Sequence, residues 1–143
     1  MKVLVVEDGR TARKMLQSAV ERLGHECLTA ADGTEAWDRF RAEGADVIDV
    51  GGESTRPQGA DPVSEADELS RVLPVIHAVV RRLPGVLVSV DTVKAAVAEA
   101  ALNEGAHIVN DVSGGRLDHR MATVCARYGA GFEKLELARG GKV

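Results

Sequence analysis

The amino-acid sequence predicts an α/β protein with a five-stranded parallel sheet, and three observations lead to this fold class. Short runs rich in valine, leucine and isoleucine alternate with longer segments whose apolar residues repeat at helical spacing. Hydrophobic residues make up 45% of the sequence but aromatic residues only 3%, so the core must be built from aliphatic side chains. That composition is typical of parallel strands, which are covered on both faces. With 143 residues, the whole chain is expected to form a single domain.

The first part of the chain predicts two βα units. A β-branched run from Lys2 to Val6 is the first strand, and Thr11 is the expected N-cap of a helix that ends at Gly24. A weaker strand is predicted from Glu26 to Ala30. An Asp-Gly-Thr turn then caps a second helix, which ends at Gly44.

Three further βα units are predicted after residue 45. A Ser-Glu-Ala-Asp capping signal introduces the longest helix, and Pro74 is expected to kink that helix or to split off its first turn. The remaining predicted elements are strands Asp46–Val50, Val86–Val90 and His107–Val112 and helices Val93–Asn103 and Asp118–Tyr128. The tail, residues 131–143, is rich in glycine and charge and predicts no element.

Charge and hydropathy exclude two classes of partner. A net charge of −4 and a pI near 5.6 argue against a nucleic-acid-binding surface, which needs a clustered basic face. No apolar run approaches the roughly 20 residues of a membrane span, and the chain starts with a strand pattern rather than a signal peptide. We therefore expect a cytoplasmic protein that requires no partner. Cys27 and Cys125 lie outside any metal-binding or redox spacing, and we expect both to be small buried hydrophobic residues.

Residues 1–45 resemble the first two βα units of a response-regulator receiver domain. The resemblance is carried by Val-Leu-Val-Val-Glu7-Asp8, by the amphipathic first helix and by Leu-Thr-Ala-Ala-Asp-Gly-Thr-Glu-Ala before the second helix. It implies that Glu7 and Asp8 would hold a magnesium ion, which binds carboxylate oxygens. The phosphate-accepting aspartate of that family would fall at Gly51, and the family's lysine after the fifth strand is absent. Phosphorelay signalling is therefore not expected.

Residues 46–130 resemble dihydropteroate synthase, a (β/α)₈-barrel enzyme that condenses a pterin diphosphate with p-aminobenzoate. Asp-Val-Gly-Gly-Glu-Ser-Thr-Arg-Pro, Val-Ser-Val-Asp-Thr and Ala-His-Ile-Val-Asn-Asp-Val-Ser-Gly follow one another as in the second, third and fourth strands of the family. By this resemblance, Thr55 and Arg56 would contact the p-aminobenzoate side, and Asp91 and Asn110 would hydrogen-bond the pterin ring. The residues that the family uses on its other strands have no counterpart here, and a closed barrel takes about 250 residues.

The two resemblances are compatible with one fold, a flavodoxin-like three-layer α/β/α sandwich with strand order 2-1-3-4-5. Its third to fifth strands are consecutive neighbours, as the strands of a barrel are. Alternation places Asp49, Asp91 and Asn110 on one sheet face near the carboxyl edge, which we expect the first and the last helix to cover. If the last helix instead stays beside the two helices before it, that face is bare and homodimerisation should follow.

These features lead to three hypotheses about function. The first is an engineered chimera of the two families, a scaffold that is not an enzyme, has no phosphorelay activity and tests fragment exchange between the folds. The second is weak binding of pterin, phosphate or Mg²⁺ at the carboxyl edge. Its ligand-binding residues would be Thr55, Arg56, Asp91 and Asn110. Its metal ligands would be Glu7, Asp8 and Asp49. The third is a receiver-like interaction module that cannot be phosphorylated. We expect no cofactor beyond adventitious Mg²⁺, phosphate or sulfate.

Overall fold

A computed structural model describes residues 1–6, 10–53 and 62–133 of the chain. Strands and helices alternate through this part of the chain, as the sequence predicts. In chain order the elements are β1 (Lys2–Val6), α1 (Arg10–Arg22), β2 (Glu26–Ala30), α2 (Gly33–Glu43), β3 (Val47–Gly51), α3 (Glu65–Arg82), β4 (Leu87–Asp91), α4 (Ala95–Glu104), β5 (Ile108–Asn110), α5 (Met121–Tyr128) and β6 (Gly131–Glu133).

The strands form one parallel sheet in the order β2-β1-β3-β4-β5-β6. The predicted α/β class and the order 2-1-3-4-5 are therefore confirmed for the first five strands. β6 lies in the tail for which the sequence predicts no element, and it extends the sheet beyond β5, with Gly131 opposite Ile108. A strand of three residues is too short to show an alternating pattern. Residues 134–143 of that tail lie outside the described residues.

Side-chain caps explain where two of the helices begin. Asp32 Oδ1 accepts a hydrogen bond from the Glu35 amide at 2.9 Å, and the Glu35 side chain accepts one from the Ala31 amide at 2.7 Å. Ser64 Oγ accepts a hydrogen bond from the Asp67 amide at 3.1 Å at the start of α3. Both capping predictions are confirmed, since these bonds satisfy amides that the first helical turn leaves without partners.

The expected cap of α1 is wrong, and so is one of the two alternatives expected for Pro74. Thr11 is not an N-cap, because α1 already begins at Arg10. Pro74 does not split off the first turn of α3, which runs from Glu65 to Arg82, and a kink at Pro74 stays a prediction. Val72 and Ile76, on either side of the proline, are fully buried against the sheet. Burial of each contributes about 1.5–3 kcal/mol, which offsets the roughly 3 kcal/mol that an interior proline costs a helix.

The helices are divided unequally between the two faces of the sheet. α2, α3, α4 and α5 cover one face, whereas α1 covers the other over β1 and β2, where Leu16 and Val20 pack against Val5. The last helix was expected beside the first, and this expectation is wrong. Met121 and Val124 of α5 are buried in the same core as α3 and α4, because these apolar residues continue the aliphatic core built by the preceding helices.

As a result, α1 is the single helix of the described residues on its face, and that helix does not extend over β4 and β5. Homodimerisation, which is expected when this sheet face is bare, stays a prediction.

Both cysteines are free thiols within the fold. Cys125 is buried, as predicted, and Cys27 is half-buried between β2 and α1. Burial raises the pKa of the Cys27 thiol to about 11, with a further contribution from the carboxylate of Glu21. In the part of the chain that the structure describes, no helix combines the length and apolar character needed to span a membrane.

Candidate functional site

The polar residues predicted at the carboxyl edge lie side by side in the sheet. Gly51 of β3 pairs with Asp91 of β4, which in turn pairs with Asn110 of β5. Asp49 precedes Gly51 by two residues and so lies on the same face. The Asn110 side-chain amide donates to Asp49 Oδ2 over 3.4 Å, a long hydrogen bond. The structure thus brings together three of the predicted site residues, on the face away from α2–α5.

These side chains are largely removed from solvent. Asp91 is 9% exposed, Asn110 is 5% exposed and Asp49 is half-buried. Among the described residues, the carbonyl oxygen of the Asn110 side chain has no hydrogen-bond partner. A buried polar atom in this state costs about 1–3 kcal/mol, so a bound group that donates a hydrogen bond would be stabilised here.

Gly51 leaves room next to the carboxylate of Asp91. A Cβ atom added at Gly51 would lie 3.5 Å from Asp91 Cβ and 3.8 Å from Asp91 Oδ2, which is ordinary van der Waals contact. A larger side chain at this position would therefore occupy the space beside the carboxylate. Gly51 stands where a receiver domain would have its phosphate-accepting aspartate. Because glycine has no side chain, the space beside the Asp91 carboxylate stays open.

A lysine between two glutamates fixes the start of the loop that follows β3. Lys94 Nζ lies 2.5 Å from Glu53 Oε2 and 2.6 Å from Glu68 Oε2, and Glu68 is completely buried on α3. Glu53 also accepts a hydrogen bond from the Val63 amide at 3.0 Å, where the chain returns toward α3. We call Lys94, Glu53 and Glu68 the lysine triad. It ties the β3 loop to the N-terminal parts of α3 and α4.

The pKa values of the triad reflect this pairing. Burial alone would raise the pKa of Glu53, but hydrogen bonds from Lys94 and the Val63 amide outweigh burial and hold this pKa below its usual 4.5. Burial alone would lower the pKa of Lys94, but its hydrogen bonds to Glu53 and Glu68 hold it above its usual 10.5. Glu53 and Lys94 are therefore charged at neutral pH.

Gly52 allows the same loop to lie against α3. A Cβ atom at Gly52 would approach Val72 Cγ1 to 2.9 Å and the backbone oxygen of Glu68 to 3.1 Å, so a larger residue requires the helix to move. Arg71 Nη1 donates to the Gly52 carbonyl oxygen at 3.0 Å. Residues 51–53 are thus held by backbone, packing and charge together.

The loop after β5 is organised by Asp111. This side chain is completely buried and accepts hydrogen bonds from the amides of Ser113 at 2.7 Å and Gly115 at 2.8 Å. Gly114 and Gly115 have φ values of 63° and 76°, which favour glycine. Asp111 thus caps the loop locally, and its hydrogen bonds fix the chain immediately after Asn110.

Asp118 caps α4 from outside that helix. Its Oδ2 accepts a hydrogen bond from the Ala95 amide at 2.9 Å, whereas the N-cap residue Lys94 makes no side-chain cap. The hydrogen bond from Arg120, and next that from Ala95, hold the pKa of Asp118 well below its usual range. The carboxylate thus stays ionised at the positive end of the helix dipole.

We expect Asp118→Ala to lower the free energy of unfolding by about 1 kcal/mol, the usual cost of losing an N-cap. Urea denaturation at neutral pH measures this loss. Asp118→Asn, which keeps an acceptor oxygen, should lose less. Equal losses for the two variants would show that the hydrogen bond to Ala95 is not what the carboxylate contributes.

Four predicted site residues lie outside the described residues: Thr55, Arg56, Glu7 and Asp8. Their roles stay predictions, and so does the metal site, of which only Asp49 can be placed. In residues 1–6, 10–53 and 62–133, no group of three or more histidine, cysteine, aspartate or glutamate residues is arranged to hold a metal ion.

Sequence reasoning missed the lysine triad. Glu53 lies within the recognised loop motif and Lys94 lies two residues after the end of another motif, but Glu68 lies in the first turn of a helix, where acidic residues are usually solvent-exposed. The one available signal is its position: Glu68, Val72 and Ile76 are four residues apart and share one helix face.

Comparison with known proteins connects this site to one family. A family model described as "Pterin binding enzyme" matches residues 22–132. Dihydropteroate synthase of Bacillus subtilis is 54% identical over 86 residues, which are 60% of this chain and 30% of that protein. The chain spans about a third of the length of the curated dihydropteroate synthases that it matches.

Solved structures agree with the sequence match. A dihydropteroate synthase from Clostridium difficile, determined in the presence of pteroic acid, aligns with a TM-score of 0.63 at 34% identity, covering 92% of this chain and 46% of that one. The enzyme from Thermus thermophilus in complex with 4-aminobenzoate aligns with a TM-score of 0.58 at 40% identity, covering 92% and 39%.

These matches overturn the hypothesis of an engineered scaffold without activity and the expectation that the chain is not part of an enzyme. That hypothesis rests on motifs of a complete barrel that are absent from this sequence. The chain matches only about a third of the length of its relatives, so the absence of those motifs is not evidence against an enzyme. The match also begins at residue 22, within the receiver-like segment, and none of these findings supports a receiver domain. Because the family model covers more than half of the 143 residues, the chain belongs to the pterin-binding enzyme family.

Proposed function

We propose that the carboxyl edge of β3, β4 and β5 is the pterin-binding part of a dihydropteroate synthase. The observation that carries this proposal is the placement of Asp91 and Asn110 side by side, next to the space that Gly51 leaves. A pterin ring presents an exocyclic amino group and an adjacent ring N–H as donors, together with ring acceptors. A carboxylate accepts from such donors, and a side-chain amide both donates and accepts.

Membership of the pterin-binding family supports this proposal, as does the presence of pteroic acid with the Clostridium difficile relative. For the second substrate we propose p-aminobenzoate, at Thr55 and Arg56. Support comes from the Gly-Gly-Glu-Ser-Thr-Arg-Pro motif and from the 4-aminobenzoate in the Thermus thermophilus complex. The lysine triad would then set the direction in which this loop leaves β3.

For the receiver-like residues 1–45 we propose a supporting role in the same protein. β1 pairs with β3 on the side opposite to β4, with Val5 beside Asp49. The Lys2 amide donates to Asp46 Oδ2 at 2.7 Å at the other end of this pair. These contacts hold β3, and with it Asp49 and Gly51, in register beside the pterin-binding residues.

Calorimetric titration of the chain with pterin tests the proposal. We expect saturable binding that weakens about tenfold, or roughly 1.4 kcal/mol, in Asp91→Asn, because the charged acceptor is lost. Gly51→Val should weaken binding by a similar factor, since its side chain fills the space beside Asp91. Valine suits a strand end, so this variant should still fold.

Asp38→Asn is the matched control, because Asp38 is exposed on α2, away from the carboxyl edge. It should bind pterin as the parent chain does. Equal affinities of the parent chain, Asp91→Asn and Gly51→Val would contradict the proposed site, and so would the absence of saturable binding.

A further inference from the structure

An apolar groove of about 510 Å³ separates α2 from α3 on the sheet face opposite to Asp91 and Asn110. Aliphatic side chains of β1 and β3 form its floor. Trp37 and Phe40 of α2 line one wall, and Val75 and Ala78 of α3 line the other. This volume lies in the range of about 300–1,000 Å³ that is usual for small-molecule sites.

Both walls expose apolar surface that the fold does not use. Trp37 is 42% exposed although it stacks on Phe40, with 6.1 Å between ring centroids. Val75, across the groove, is 45% exposed. Single exposed apolar residues are ordinary, but these two line opposite walls of one groove. Trp37 therefore packs within the fold with only part of its side chain.

Each end of the groove carries a positively charged arginine side chain. Arg71 and Arg82 both line it from α3, eleven residues apart, which corresponds to about 16 Å along a helix. Arg71 is engaged by the Gly52 carbonyl oxygen. Arg82 is exposed and forms no hydrogen bond or ion pair with any residue that the structure describes. An elongated apolar trough with an available guanidinium at one end is complementary to an elongated apolar anion.

We propose that this groove binds a single-chain aliphatic carboxylate, with its alkyl chain along the sheet floor and its carboxylate on Arg82. Guanidinium pairs with carboxylate through two parallel hydrogen bonds, which fixes the direction of the ligand. The length of the groove favours an extended chain over a compact aromatic acid. The groove adjoins the pterin-binding edge at Asp49 and Gly51 but is not lined by Asp91 or Asn110, and the proposal does not depend on pterin binding.

Fluorescence of Trp37 provides a direct test, because it is the single tryptophan of the chain and stands in the groove wall. Titration with dodecanoate should change its emission saturably. Dodecan-1-ol and dodecyltrimethylammonium should bind about tenfold more weakly, since they lack the carboxylate that pairs with Arg82. Benzoate should also bind more weakly, because it cannot fill the groove.

Arg82→Gln should weaken dodecanoate binding about tenfold and leave dodecan-1-ol binding unchanged. Arg81→Gln is the matched control: its guanidinium lies on the preceding residue, 3.5 Å from His77 Nε2, outside the groove, and it should bind as the parent chain does. Ala78→Phe should fill the groove and abolish binding of all three dodecyl compounds, with circular dichroism confirming that each variant is folded.

An unchanged dodecanoate affinity in Arg82→Gln would overturn the proposal, as would equal binding of the carboxylate, alcohol and ammonium compounds. Tighter binding of benzoate than of dodecanoate would overturn the aliphatic assignment. No change in Trp37 emission with dodecanoate would show that the groove is not a binding site.

Discussion

Replacing Lys94 with methionine is expected to lower the free energy of unfolding by about 3–5 kcal/mol, because it leaves a buried carboxylate without its counter-ion. Glu68 is completely buried, and Lys94 Nζ at 2.6 Å is the ammonium that pairs with it. Methionine fills a similar volume but cannot donate a hydrogen bond. Urea denaturation measures the loss, and Lys94→Met combined with Glu68→Leu should regain most of it, since the completely buried carboxylate is then removed. The carboxylate of Glu53 remains, but it is 24% exposed and keeps the hydrogen bond from the Val63 amide.

Arg127→Met is the matched control for this prediction. Arg127 pairs with Glu99 at 2.7 Å, but its side chain is 61% exposed, and exposed pairs contribute at most about 1 kcal/mol. A loss for Lys94→Met no larger than that for Arg127→Met would contradict the role of the lysine triad.

The same triad predicts how stability depends on pH. The folded pKa of Glu53 is lowered, so its contribution is fully present above the usual value of 4.5 and is lost as pH falls through the lowered value. The folded pKa of Lys94 is raised, so its contribution is present below 10.5 and is lost as pH rises through the raised value. The difference in unfolding free energy between the parent chain and Lys94→Met should therefore be largest between these limits and decrease on both sides.

Asp111→Ala is expected to cost about 3 kcal/mol, because two charge-assisted hydrogen bonds in a buried loop are lost together. The Ser113 and Gly115 amides would then have no acceptor in a loop that follows directly from Asn110. Asp111→Asn keeps one acceptor oxygen and should lose about half as much. Urea denaturation gives both values.

Amide hydrogen exchange gives the local readout for this loop. Faster exchange at Ser113 and Gly115 is expected in Asp111→Ala. Unchanged exchange at these two amides would show that the carboxylate does not organise the loop, whatever the change in global stability.

Most of the architecture could be predicted from local sequence signals. Asp32 and Ser64 cap helices where their sequence patterns place them, and the order of the first five strands follows from recognised βα units. The position of α5 could not be predicted, because its apolar face would pack equally well on either side of a sheet. Its placement beside α4 follows from tertiary packing, since Met121 and Val124 are buried in the core that α3 and α4 also form.

The candidate site, like the fold, could be predicted only in part from the sequence. Alternation along strands was enough to place Asp49, Asp91 and Asn110 together, because the side-chain period in a strand is fixed. The lysine triad joins residues 41 and 26 positions apart. Helical spacing could therefore indicate that Glu68 is buried, but no local pattern could indicate that it pairs with Lys94. The function was misjudged for a different reason: absent motifs were treated as evidence against an enzyme although the chain matches only part of its relatives.

The most direct test of the pterin-binding proposal is a ¹⁵N–¹H nuclear magnetic resonance titration of the full chain with pteroic acid. We expect concentration-dependent shifts at the amides of Gly51, Asp91 and Asn110, which adjoin one another at the carboxyl edge. Amides at the opposite ends of the strands, such as Lys2 and Leu87, should not shift. Shifts confined to those distant amides, or no shifts at saturating pteroic acid, would contradict the proposed pterin site.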